Sequence, residues 1–174
     1  MNYYFWSGVV NAATSFLVAA LVFLKNRRAQ ANRVFIVFAA SVGFWAICYS
    51  VWIWSMSHDY ESVALFWIRF AMIGSTVIPL SFTEFVICLL HYDKKWKKSR
   101  IFNFVVMILI LAFSFSPYFI KSVSRIMDFQ FWPDAGPLFY VFHLWFGINV
   151  VVSQALLVGS LWKTKGTIEW KRNF

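Results

Sequence analysis

Five long apolar segments dominate the hydrophobic and polar pattern of this chain. They cover residues 5–24, 34–56, 65–91, 101–119 and 138–162, to within a few residues at each end. The hydrocarbon core of a bilayer is about 30 Å thick and is spanned by about 20 apolar residues in a helix. Each segment is therefore predicted to be a transmembrane helix. The pattern predicts an all-α, polytopic membrane helix bundle that forms one domain over residues 1–174.

The polar links between these segments alternate in charge. Thirteen of the 16 Lys and Arg residues lie in Lys25–Arg33, Asp93–Arg100 and Lys163–Arg172. Cytoplasmic links of membrane proteins are enriched in Lys and Arg. We therefore expect an outer N-terminus, five crossings of the inner (plasma) membrane and a cytoplasmic C-terminus.

Composition narrows the class of protein further. The chain is 61% hydrophobic and 13% charged, which leaves too little polar surface for a soluble domain of 174 residues. The net charge of +9 alternates along the chain instead of forming one basic face. The expected partners are the lipid bilayer and its anionic headgroups, and no nucleic acid.

Two charged residues fall inside predicted helices. A carboxyl group such as Glu84 is costly within a membrane and usually faces protein, water or a partner charge. Glu84 is therefore either a ligand or proton site, or a structural group that bonds a polar neighbour or the basic links. Arg69 lies fifteen residues earlier, about 22 Å along a helix, so the two cannot pair. Arg69 is expected to neutralise Asp59 or Glu61, with attraction of an anionic ligand as the alternative.

The fifth predicted helix carries polar residues on two neighbouring strips. His143 shares a face with Gly147 and Gln154, and Asn149 lies on the adjacent strip. His143 is expected to pack and hydrogen-bond, with a ligand contact as the alternative. A single histidine inside the membrane is a weak metal signal, so neither a metal nor a cofactor is expected.

Aromatic residues offer a second kind of candidate site. Trp45, Trp67 and Trp145 could line a stacking pocket, although tryptophans in a bundle more often serve packing and the interfacial belt. The segment Ile120–Pro137 is predicted to be an outer loop, whose aromatic residues lie on the membrane or cap the bundle. Pro79 is expected to kink or loosen the third helix.

The sequence lacks the common catalytic signatures. It holds no glycine-rich phosphate loop, no His-Glu-x-x-His zinc motif and no Gly-x-Ser-x-Gly elbow. The chain is therefore not expected to be an enzyme.

Short motifs occur at the predicted helices, namely Asn32–Phe35 with Trp45, Phe66–Phe70 with Gly74 and Ile78–Leu80, and Gly136–Tyr140. These motifs resemble those of a bacterial family, the N-terminal seven-helix sensor region of histidine kinases. The resemblance implies a sensory input module that binds a small molecule or lipid and relays a helix rearrangement to a cytoplasmic output domain. The sequence ends where a sixth helix would begin, so we expect either a fragment of a longer receptor or a five-helix relative that acts through a partner.

Two other functions remain open at the level of sequence. A small transporter or channel subunit would line a polar path with Glu84, His143, Asn149 and Gln154. An assembly protein would use a face of the bundle to bind a second copy of itself or a partner membrane protein.

Overall fold

The computed structural model describes residues 3–56, 58–127 and 129–172, with side chains described as far as Trp162. Its elements are five helices and one β-hairpin. They are α1 Tyr3–Asn26, α2 Gln30–Met56, α3 Glu61–Leu89, α4 Lys97–Phe113, β1 Ile120–Ile126, β2 Phe129–Ala135 and α5 Pro137–Arg172.

Four of the helices are long and apolar enough to cross a membrane. They are α1, α2, α3 and the part of α5 from Pro137 to Trp162. Each predicted helix has a counterpart, but α5 continues through residues that we predicted to be an inner basic segment. The multi-pass membrane class is thereby supported, while the count of five crossings and the orientation stay predictions.

The fourth helix differs most from its predicted bounds. It begins four residues earlier than predicted and ends at Phe113 instead of residue 119, so its 17 residues rise only about 25 Å. The early end has a local cause. The hydroxyl of Ser114 donates to the carbonyl of Leu111 at 2.8 Å, and that of Ser116 to Phe113 at 2.8 Å. Pro117 then has no amide hydrogen with which to continue a helix.

The prediction that Ile120–Pro137 is a loop is wrong, because this segment folds into an antiparallel hairpin. Ile120 pairs with Ala135 and Ile126 with Phe129. Two register irregularities lie between Ile120 and Ile126. They break the alternation of period two by which a strand is recognised in sequence. Met127 occupies the left-handed region at the turn, with φ of 53°.

An aspartate is bonded across the hairpin by two hydroxyls. Ser124 donates to Asp134 Oδ1 at 2.6 Å and Ser122 donates to Asp134 Oδ2 at 2.8 Å. These bonds favour the charged carboxylate, so they hold the pKa of Asp134 below its ordinary value. The hairpin is thus tied across its strands by side chains as well as by its backbone.

Helix α3 forms the centre of the bundle. It packs against α2, α4, α5 and the hairpin. Small residues allow close approach between neighbouring helices. A Cβ on Gly43 would lie 2.9 Å from the ring of Phe16, and one on Gly74 would lie 3.0 Å from the carbonyl oxygen of Ser41. Pro79 is buried inside α3 without ending it.

The two ends of the bundle differ in chemistry. Two of the basic segments meet at one end, where Gln30 Nε2 donates to Asp93 Oδ1 at 3.3 Å. The hairpin covers the other end, where Gln130 Nε2 donates to Asp59 Oδ1 at 2.6 Å. We call these the basic end and the hairpin end.

Candidate ligand-binding site

The hairpin is attached to the bundle through aromatic residues. The indole nitrogen of Trp52 donates to the carbonyl of Phe131 at 2.9 Å, in a buried contact. The rings of Trp52 and Phe129 stack with centroids 6.2 Å apart and planes only 7° from parallel. Trp52, Ile53, Ala64 and Phe131 form one buried cluster at this end. The hairpin therefore caps the bundle, one of the two placements predicted for this segment.

Arg69 supplies a second attachment. Its Nε and Nη2 donate to the carbonyl oxygen of Ile120 at 3.2 and 2.7 Å, and Nη2 donates to that of Lys121 at 3.3 Å. The expected pairing with Asp59 or Glu61 is not found among the ion pairs of the described residues. The physical reason is that β1 brings backbone carbonyls, unforeseen in the sequence, within reach of the guanidinium. Arg69 thus fastens the hairpin to α3.

A cavity of about 660 Å³ lies beneath this hairpin, between α2, α3 and α5. We call it the outer cavity. Its volume is within the range of about 300–1,000 Å³ typical of small-molecule sites. Aromatic side chains form much of its wall, namely Trp45, Tyr49, Trp52, Phe129, Trp132, Phe139, Phe142 and Phe146.

Two polar side chains also line the outer cavity. Ser75 is 9% exposed, and its hydroxyl has no hydrogen-bond partner among the residues that the structure describes. The structure places Nδ1 of His143 2.9 Å from the carbonyl oxygen of Phe139. A carbonyl only accepts, so this nitrogen carries the hydrogen and Nε2 of the neutral ring is an acceptor. The cavity therefore offers a ligand one hydroxyl and one ring nitrogen in an otherwise apolar wall.

Pro79 acts on the same region from one turn away. It has no amide hydrogen to donate to the carbonyl of Ser75, four residues earlier. Helix α3 therefore lacks one backbone hydrogen bond next to the cavity. The missing bond is at Ser75, whose hydroxyl also makes no hydrogen bond to a described residue. Ile78, directly before Pro79, lines the cavity as well.

The predicted tryptophans separate into different environments. Trp45 lines the outer cavity and stacks on Tyr49, with centroids 5.5 Å apart. Trp67 lies outside the cavity lining and packs edge-on against Phe70 and beside the Trp52 cluster. Trp145 is buried elsewhere and donates through Nε1 to Asn103 Oδ1 at 3.2 Å.

Asn149 belongs to a buried polar contact between α3 and α5, away from the outer cavity. Thr83 Oγ1 lies 3.1 Å from Asn149 Oδ1 and 2.8 Å from Ser153 Oγ. Asn149 Nδ2 donates to the carbonyl of Trp145 at 2.9 Å. Oδ1 of Asn149 therefore joins α3 to α5, whereas its Nδ2 bonds within α5.

Glu84 lies at the basic end. Its Oε2 accepts from Arg100 Nε at 2.7 Å, and Arg100 Nη1 donates to Asp93 Oδ1 at 2.9 Å. This is the structural role in which Glu84 reaches toward a basic link. Only Trp45 and His143, of the six predicted ligand residues, line the outer cavity, whereas Glu84, Arg69, Trp67 and Asn149 lie elsewhere.

Sequence reasoning did not select Ser75 as a ligand residue. The available signal was its position four residues before Pro79, where a helix loses one backbone bond. Phe139 and Phe146 carried no signal, because apolar residues in a membrane helix face lipid, protein or a cavity with equal chemical plausibility.

The fold and the cavity together define a class: a polytopic helical membrane protein with an aromatic cavity under a β-hairpin cap. A family model described as the N-terminal 7TM region of histidine kinase matches residues 8–172. The chain belongs to this family, as the helix motifs predicted. The family is a sensor region and not a catalytic domain. No curated protein and no solved structure matches the chain.

Proposed function

We propose that this chain is a membrane-embedded input module that binds a small molecule in the outer cavity and relays a helix rearrangement toward its C-terminus. The observation that carries the proposal is the hydroxyl of Ser75 in an aromatic cavity: the residue is only 9% exposed, and its hydroxyl makes no hydrogen bond to a described residue. This hydroxyl is therefore free to bond a ligand in the cavity. Such a bond, made in an apolar surrounding, would contribute to ligand affinity.

The lining defines the chemical class of ligand. It would be neutral and largely apolar or aromatic, with one polar group that bonds Ser75 or His143. The guanidinium of Arg69 is occupied by hairpin carbonyls, which does not favour an anionic ligand. This ligand class replaces the anion considered from the sequence alone.

The proposed relay runs through α3 and α5. Both helices line the outer cavity, and both join further along at Thr83, Asn149 and Ser153. A ligand shifts an equilibrium only if it binds two arrangements unequally. Filling the cavity would move the hairpin end of α5 relative to α3, and α5 would carry this movement to Arg172 and a cytoplasmic output domain.

Binding can be tested with two matched probes, 1-naphthol and naphthalene, which differ by one hydroxyl. The protein is placed in lipid nanodiscs and binding is measured against empty nanodiscs, which corrects for partition into lipid. We expect saturable binding of 1-naphthol, with an affinity about 2 to 10 times that for naphthalene, as one buried hydrogen bond would give.

Two variants make the binding test specific. Ser75→Leu removes the hydroxyl and narrows the cavity beside it, and is expected to weaken saturable binding of both probes. Ser75→Ala keeps the space and is expected to reduce the preference for 1-naphthol while naphthalene still binds. Uptake equal to that of empty nanodiscs for both probes would count against the outer cavity as a ligand site.

The transporter hypothesis receives no comparable support. Its four polar residues lie in separate places: Glu84 at the basic end, Asn149 between α3 and α5, His143 in the outer cavity and Gln154 on an exposed face of α5. A bundle face that binds a second copy or a partner stays a prediction.

A further inference from the structure

A second cavity, of about 500 Å³, lies toward the basic end between α2, α3 and α4. We call it the inner groove. Its wall is largely apolar and includes Val37, Leu80 and Phe104. Val37 is 50% exposed and Phe104 is 56% exposed, so the groove opens sideways on the surface that faces the membrane. A mobile hydrocarbon chain in the bilayer would therefore have direct access to it.

Two cations stand at the polar end of this groove. Arg100 lines it and is held by Glu84 and Asp93 through Nε and Nη1. Its Nη2 makes no hydrogen bond to any residue that the structure describes. Lys97 also lines the groove, is exposed, and has no ion pair within the described part of the chain. The two acidic groups thus fix the position of Arg100, while Lys97 contributes a positive charge that no neighbour neutralises.

We propose that the inner groove binds one anionic phospholipid of the leaflet at the basic end. An acyl chain would lie along the apolar wall, and the headgroup phosphate would accept hydrogen bonds from Lys97 Nζ and Arg100 Nη2. Arg and Lys both bind phosphate. The apolar groove that continues from them would contact an acyl chain, which a free phosphate ion lacks. The surrounding link adds Lys94, Lys95 and Lys98, which further disfavours a lipid that carries its own cation.

This site is separate from the outer cavity and does not depend on the proposed function. Glu84 lines the same groove and thereby acquires a positioning role: its carboxylate holds Arg100 through Nε and leaves Nη2 for the phosphate. The groove would bind lipid whether or not the outer cavity holds a ligand.

Native mass spectrometry of the intact protein in detergent tests the proposal directly. The protein is mixed with dioleoyl phosphatidylglycerol or dioleoyl phosphatidylcholine at equal concentrations. We expect one tightly retained phosphatidylglycerol and a retention at least about fivefold above that of phosphatidylcholine, as one uncompensated basic group near the surface would give. Glycerol phosphate and inorganic phosphate, which lack acyl chains, are expected not to displace it.

Matched variants separate the groove from the basic surface. Lys97→Gln is expected to lower retention about fivefold, whereas Lys98→Gln, which removes the same charge outside the groove lining, is expected to change it little. Val37→Phe narrows the groove and should lower lipid retention, while Val10→Phe on an exposed face of α1 should not. Thermal unfolding of each variant checks that it is folded.

Three results would overturn the proposal: equal retention of the two lipids, equal losses in Lys97→Gln and Lys98→Gln, or displacement by glycerol phosphate. The first would indicate annular lipid only, the second a diffuse surface charge, and the third a simple phosphate site. A folded Val37→Phe variant with unchanged retention would also refute it.

Discussion

Replacing Arg69 by Gln is expected to loosen the hairpin over the outer cavity. Its guanidinium makes three hydrogen bonds to the carbonyls of Ile120 and Lys121, the shortest at 2.7 Å. A hydrogen bond to a charged group contributes about 1.5–3 kcal/mol to the stability of a folded protein. Ile120 is almost fully buried, so water cannot replace the lost donors cheaply. All three bonds come from one guanidinium and end on two neighbouring carbonyls of β1. We therefore assign about 1.5–3 kcal/mol to the three bonds together.

This free energy corresponds to an increase of about 10- to 150-fold in the opening equilibrium of the hairpin. Amide hydrogen exchange over residues 119–135 measures that opening in the folded protein, and exchange within α2 serves as the internal reference. Arg125→Gln is the matched control. It removes the same charge from the same hairpin, but the exposed side chain of Arg125 makes no hydrogen bond to a described residue.

We expect fast exchange in the hairpin of Arg69→Gln and near wild-type exchange in Arg125→Gln. If the two variants exchange equally, the attachment through Arg69 does not stabilise the cap. If α2 exchanges faster to the same extent as the hairpin, the variant has lost global stability instead of local attachment.

Three further predictions concern packing, helix association and pH. Gly43→Ile should lower thermal stability, whereas Gly147→Ile should not, because a Cβ on Gly147 meets nothing within 4 Å; equal melting temperatures would contradict this. Thr83→Val should destabilise the bundle by about 0.6–1.7 kcal/mol in reversible unfolding, and Thr14→Val, whose hydroxyl bonds only its own helix, should have a smaller effect. The pKa of Asp134 is lowered in the folded protein, so its carboxylate stabilises the fold in full above about pH 3.9, the pKa of an unfolded aspartate. This stabilisation is lost as the pH falls through the folded pKa. The protection of the hairpin amides, measured relative to the intrinsic exchange rate at each pH, should therefore fall in acid, and Asp134→Asn should abolish that dependence.

The sequence was sufficient for the helices because membrane spanning requires long apolar segments whatever their partners. The hairpin was missed because irregular pairing between Ile120 and Ile126 removes the alternation that identifies a strand. The early end of α4 at Phe113 depends on serine bonds to the helix carbonyls, which a hydropathy pattern does not register.

The candidate site was harder to predict than the helices. A charged residue in a membrane helix is conspicuous, so the sequence favours Glu84 and Arg69 as candidates. In the structure each of them bonds neighbouring protein groups. Ser75 resembles any helical serine until the structure shows that it lines the outer cavity and makes no side-chain hydrogen bond to a described residue. The difference between a structural and a ligand-binding polar residue lies in its neighbours, which a single sequence does not contain.

The most direct test of ligand-driven relay is the distance between α3 and α5 near the basic end, measured by pulsed electron paramagnetic resonance. Spin labels at Leu89 and Val158, both exposed, report this distance after the two buried cysteines, Cys48 and Cys88, are replaced by Ala. We expect saturating 1-naphthol to shift the distance distribution in the labelled protein, and the same concentration to shift it less in the Ser75→Leu background. An unchanged distribution at saturating, independently verified 1-naphthol binding would contradict the relay through α3 and α5.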